Sequence, residues 1–323
     1  NGAVLTGGFS DFQDNGTTIG SSWKGIVIDG GEVNLTIRDV TIDRYLSSDN
    51  KWESTDAAIT LRNGASLNLT LEGDNYLEGA TGGAGICVGE NCTLRITKES
   101  TGKLKAVGGN YYGGAAGIGA NGTGWTLGGT TDVKQKLGHI VIEGGTIEAV
   151  GGTHPYGEGV ASAAAAIGGS CGGTTGSIEI SGGNITAIGG TAAAAIGGGI
   201  AGWVSSITIS GGTITATASE RDNKRLGAAI GAGSYALTSG DYSCGTIKIT
   251  GGTIIANGNI GYGEGWKQGA GNKEGSVEIG SDVDLTLIDG RIDPDAGEEF
   301  TEYTFSFTIY DGRLVKKTVA DIS

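Results

Sequence analysis

The sequence predicts an all-β chain, a right-handed parallel β-helix (β-solenoid) of about eight rungs with a C-terminal β-hairpin cap. Three observations predict it. A phrase of small residues, Ile-Gly-Gly, Ile-x-Ile and Gly-Gly-Thr-Ile-x-Ala recurs along the chain. Its apolar residues alternate with polar ones, the period of a strand with one buried face. Glycine is 66 of 323 residues, against a usual share of roughly 7%, and much of it falls in pairs where the strands should end.

The clearest copies are AAAAIGGS (163–170) with SIEISGGNITAIGG (177–190), AAAAIGGG (192–199) with SITISGGTITATA (206–218), and GAAIGAG (227–233) with TIKITGGTIIANG (246–258). Fainter copies run from GIVIDGGEVNLTIRDVTID (25–43) to SVEIGSDVDLTLIDG (276–290). Equivalent core residues lie 27 apart for Leu69 to Ile96, 29 for Ile180 to Ile209 and 30 for Ile249 to Ile279, with insertions elsewhere. A unit of that length holding three short strands is one rung of a solenoid, and fixed-period repeats of this kind stack. Glycine at the bends supplies positive φ or close backbone approach. With Pro only 2 and no period of three, collagen is excluded, and 37% hydrophobic content argues against low-complexity disorder.

One structural unit is expected. Residues 1–22 form an N-terminal cap, 23–296 the parallel β-helix, and 297–323 a hairpin cap around Asp311-Gly312. The chain starts at Asn1 and contains no Met, which suggests a piece of a longer protein, acting as a monomer within it. Net charge is −14, which disfavours nucleic acid and anionic membrane as partners.

The GTITAxGG…AAIGGG phrase is similar to glycine-rich repeats in surface proteins of anaerobic gut-type bacteria, carbohydrate-binding β-helix regions. The resemblance covers roughly residues 25–290. It implies the fold, a secreted or cell-surface bacterial location, and a glycan or host surface ligand as partner. It offers no catalytic motif that maps onto this chain.

Sites must come from residues. The first face, carrying the AAAIGGG strand, turns Ala or Gly outward in nearly every rung, without the basic group and calcium carboxylates that lyase chemistry needs. The second face turns out Val27, Asn68, Arg95, Val141, Glu179, Thr208, Lys248 and Glu278, a mixed solvated column. The third is richer in threonine, with Thr146, Asn184, Thr213 and Thr253 in one column, and threonine suits exposed strands without any further role.

Insertions at one corner carry Trp125, Trp203, Tyr235, Tyr242 and Trp266, candidate platforms for sugar rings, with Trp52 in a separate loop. Glycoside hydrolysis needs two carboxylates, ~5–5.5 Å apart for retention. The candidates are Asp43, Asp49 and Asp56 around the loop 43–56, an acidic pair being sought near 39–56, and Glu158 in 153–159. Asp282, Asp284 and Asp289 are weak candidates for calcium; otherwise no metal or other cofactor is expected. Cys87 and Cys92 flank a short loop and could close a disulfide. The expected function is extracellular carbohydrate binding or adhesion. The alternatives are a polysaccharide-acting glycoside hydrolase, or a structural stalk or host-protein-binding adhesin.

Overall fold

A computed structural model describes residues 2–10, 13–14, 17–18, 25–43, 56–110, 114–122, 136–153, 163–221, 224–234, 242–263, 273–293, 306–310 and 313–317. The described chain is a parallel β-helix with eight rungs. Along its first face, nine short strands stack in sequence order from Ile26–Asp29 to Ile292–Asp293. The second and third faces carry the longer strands, such as Trp203–Ile209 followed by Thr213–Arg221 in rung six. All pairings between successive rungs are parallel and mostly in register, for example Ile178 with Ile207 and Ile214 with Ile254. Several strands reach seven or more residues, longer than the short strands the repeat predicts, because the polar residues leading into each Ile-x-Ile also pair.

The core follows from the alternation. Ile140, Ile178, Ile207 and Ile247 form one inward column and Ile142, Ile180, Ile209 and Ile249 the next, all essentially inaccessible. Ile147, Ile185, Ile214 and Ile254 enter from the third face, and Ile118, Ile167, Ile196 and Ile230 from the first. Among the polar side chains buried with them, Asn75 ties the first rungs together. Asn75 accepts from the Val40 N–H (3.0 Å) and donates to the carbonyls of Glu72 (2.9 Å) and Lys103 (3.0 Å), which joins three consecutive rungs and satisfies its buried amide.

The first face is not the surface that the sequence suggests. In rungs four to seven it is a tight arc closed on itself: the N–H of Ala116, Ala165, Ala194 and Ala228 donates to the carbonyl four residues on, at Ala120, Gly169, Gly198 and Ala232. The apex glycines Gly119, Gly168, Gly197 and Gly231 have φ between +134° and +143°. A Cβ on each would lie 1.9–2.0 Å from the carbonyl oxygen of the glycine in the next rung. Only glycine permits that stacking.

The arcs are also covered. Ala163, Cys171, Ala192, Ala193 and Ile200 make a second small apolar cluster outside the main core. Struts cross it, from the N–H of Gly122 to Gly82 O (2.7 Å), of Ile200 to Ala163 O (3.2 Å) and of Ser234 to Ala192 O (2.8 Å). Each strut joins the segment leaving one arc to the segment entering the arc before it. Around rungs five and six the first face is therefore a partition between two packed regions.

Val27 is a correction. It was expected on the second face beside Asn68, but Ile26–Asp29 pairs with Ile59–Arg62 on the first face, and Asn34 is the neighbour of Asn68. The first rung continues in one strand, Glu32–Asp43, across the second and third faces, turning at Asp39 with φ 54°. At the N-terminal end Ala3–Ser10 adds a parallel strand onto Glu32–Asp43. At the other end Ser306–Tyr310 and Arg313–Lys317 form an antiparallel hairpin, whose second strand pairs antiparallel with Val283–Ile288. The hairpin edge replaces the next parallel rung.

Candidate functional site

Register decides which outward side chains meet. On the third face at rungs one and two, Asp43 pairs with Glu78 and Thr41 with Tyr76. In rung three Lys105 pairs with Tyr76 and, on its other side, with Glu148 of rung four. Strands ~4.8 Å apart place Asp43 and Glu78 side by side on one column, with Tyr76 and Lys105 on the adjacent column. The Tyr76 hydroxyl donates to a Glu78 carboxylate oxygen, and Lys105 Nζ lies 2.8 Å from Glu148 Oε1.

The electrostatics follow from this crowding. Burial pushes the Glu78 carboxyl above its ordinary 4.5, and the Asp43 charge pushes it the same way. The Tyr76 hydrogen bond and Lys105 pull against them without prevailing. Burial, the bond to Glu78 and that neighbour's charge likewise raise the Tyr76 hydroxyl. A carboxyl held toward its neutral form beside a second carboxylate is the division from which acid and base roles are built.

This has a consequence for stability. A raised folded pKa means the native chain keeps a proton that the unfolded chain has released. The contribution of Glu78 to stability therefore falls as pH climbs above about 4.5, its unperturbed value. Glu78→Gln removes that penalty. Its stability relative to the native chain is expected to improve as pH rises above about 4.5, and to level off once the native carboxyl has ionised, in denaturant titrations. A pH-independent difference would contradict the burial argument.

The predicted candidates distribute unevenly. Asp43 belongs to the pair, but its partner Glu78 lies in the next rung, outside the 39–56 stretch. Asp56 is close by through its backbone, its carbonyl accepting the Ala80 N–H (2.9 Å) two residues past Glu78. Asp39 is structural, since its Oδ1 accepts the Asp74 N–H (3.0 Å) at the rung-two turn. Asp49, Glu158, Trp52, Trp125, Tyr235 and Trp266 lie outside the described residues, as does the side chain of Tyr242. Trp203 is half-buried and pairs in register with Thr174, at the start of its strand.

Two of the candidate groupings do not assemble among the described residues. Asp282, Asp284 and Asp289 are all exposed, and among the described residues no three His, Cys, Asp or Glu side chains gather so as to hold a metal ion. Asp284 stands on the third face while Asp282 and Asp289 sit in the turns flanking its strand, which separates them. Cys87 and Cys92 are not bridged. Cys92 is in the core, whereas Cys87 alternates with the inward Ile86 and Val88 and points to the opposite side of its strand. Burial pushes the Cys87 thiol up to about 11, so it is protonated and unreactive at neutral pH.

Tyr76 and Glu78 escaped sequence reasoning although the alternation of Asp74–Glu78 turns both outward. The signal that could have found them was the alignment of DVTID (39–43) with DNYLE (74–78), which shows a carboxylate repeated at one outward position.

A family model described as a beta helix repeat matches residues 140–173, 178–200 and 207–234. No curated protein and no solved structure matches the chain. The matched segments run from the second-face strand of rung four to the arc of rung seven, and this part of the chain is a beta helix repeat region.

Proposed function

We propose that this β-helix binds carbohydrate at the third-face corner formed by Asp43, Tyr76 and Glu78. The supporting observation is the register that sets two half-buried carboxylates beside an aromatic ring on the outward side of the third face. Carboxylates accept from adjacent sugar hydroxyls, and the ring offers a plane for the C–H face of a pyranose. The resemblance of the repeat to bacterial surface proteins supports an extracellular setting, on the cell surface or secreted.

The raised Glu78 carboxyl favours a second reading, hydrolysis with retention. Glu78 would give its proton to the glycosidic oxygen as an Asp43 oxygen bonds to the anomeric carbon and the C–O bond breaks. Water deprotonated by Glu78 would then release the sugar. Neighbouring in-register strands hold their carboxylates near the ~5–5.5 Å that this route requires.

One experiment separates the readings: a glycan array and a reducing-sugar assay on the same glycans, with the native chain and with Asp43→Asn/Glu78→Gln. Binding predicts that the double variant loses affinity ~100-fold, the effect of weakening two charged hydrogen bonds. Hydrolysis predicts, in addition, reducing ends that Glu78→Gln alone abolishes. A native chain that binds no glycan, or a double variant that binds as the native chain does, overturns the proposal.

A further inference from the structure

We propose that the outward column continuing from Asp43 and Glu78 is a run of subsites for a neutral, linear, extended β-linked glycan lying along the helix axis. The inference rests on the carbohydrate reading above and names its ligand class. Register defines the column: Asp43, Glu78, Val107, Val150 and Ile188 are successive in-register neighbours through rungs one to five. It then continues as Thr217, Asn257 and Ile288.

The middle of this column breaks the surface pattern. Val107 and Val150 are half-buried and Ile188 is 38% exposed, one of three large exposed hydrophobics among the described residues. β-Branched residues suit strands in general. The fold also accepts polar residues here: the equivalent positions in rungs six and seven are Thr217 and Asn257, joined by a hydrogen bond of 3.0 Å, before Ile288 in rung eight. Three aliphatic side chains in a line beside an acidic corner fit a ligand that presents hydroxyls at one end and C–H faces beyond.

The adjacent column sets the charge of that ligand. Lys105 and Glu148 neutralise each other, and Thr186 and Thr215 follow with hydroxyls only. The carboxylate pair at the end repels uronic acids. Neutral sugars are therefore favoured. Geometry sets the shape: rungs at ~4.8 Å keep step with an extended chain whose two-sugar repeat is ~10 Å. From Asp43 to Ile188 the column spans four intervals, ~19 Å, which accommodates about four rings.

The test is calorimetric titration of the full chain with cellobiose, cellotetraose and cellohexaose, and with the xylose and mannose series. Affinity is expected to rise ~10-fold from two rings to four, as apolar area is covered, and to change less than about twofold from four to six. Val150→Asp should erase the gain and leave disaccharide affinity within about twofold of native, while Val150→Ile keeps the gain. If Val150→Asp lowers the melting temperature, Val150→Thr, which preserves the strand's β-branched shape, is read instead. Affinity independent of length, or a gain that survives these polar variants, overturns the inference. If Asp43→Asn/Glu78→Gln still abolishes disaccharide binding in that case, the corner stands and only the column fails. If no series binds, both fall.

Discussion

Gly197→Ala is expected to cost on the order of 4 kcal/mol or more, and to leave rungs six and seven unpaired. Two effects act together. The backbone is at φ 135°, a region that L side chains rarely adopt, and the new Cβ would meet Gly231 O at 1.9 Å. That oxygen belongs to the stacked backbone of the next rung, so relief requires separating the rungs. Gly231 O also accepts the Gly198 N–H at 2.8 Å, a bond that separation would break. Gly64→Ala is the internal control: its φ is 74° but nothing lies within 4 Å of the added carbon, so only the conformational cost of about 1–2 kcal/mol applies. Denaturant titration of the two variants gives the comparison. Equal destabilisation would show that rung packing tolerates the methyl.

Ile207→Ala should be the next largest effect, about 4 kcal/mol, from a cavity in a column where Ile178 and Ile247 cannot close in. Those neighbours are held by their own backbone pairing, so the site cannot collapse. Its strand neighbour Thr208 faces outward, and Thr208→Ala should change stability by less than ~0.5 kcal/mol. Because each rung touches only those beside it, the loss should be local. Hydrogen exchange should show faster opening in rungs five to seven than in rungs one to three. Uniform acceleration would mean the stack unfolds as one unit.

Much of this architecture was legible because a β-helix writes its core twice, once as alternation and once as repetition. Ile178 and Ile180 are inward by period two and stacked on Ile207 and Ile209 by repeat alignment, so either pattern checks the other. The arcs were not legible in this way. AAAIGGG reads as a strand with an exposed face of small residues, yet its alanines are buried between two apolar clusters and its glycines face the next rung's backbone. Alanine and glycine carry no periodicity that distinguishes a surface from a seam. The first rung misled for another reason: Glu32–Asp43 crosses two faces without a glycine pair, and without that punctuation Val27 was aligned one face too late. The candidate site was half legible. Asp43 stood out as acidic, but its partner Glu78 lies 35 positions away, and only register brings them together.

The self-closing arc matters for how such a chain can change. Each arc ties its own ends with the bond from Ala116 to Ala120 or its counterparts, independently of what leaves or enters. Among these arcs the path to the second face varies from 11 positions between Ile167 and Ile178 to 22 between Ile118 and Ile140, while both ends stay in register. In the same four rungs the turn between second and third faces stays at 5 positions, as from Ile142 to Ile147 and from Ile180 to Ile185, whereas in rung three it is 8, from Ile96 to Leu104. Segments at the arc's shoulders can therefore differ in length from rung to rung without disturbing the pitch of the stack.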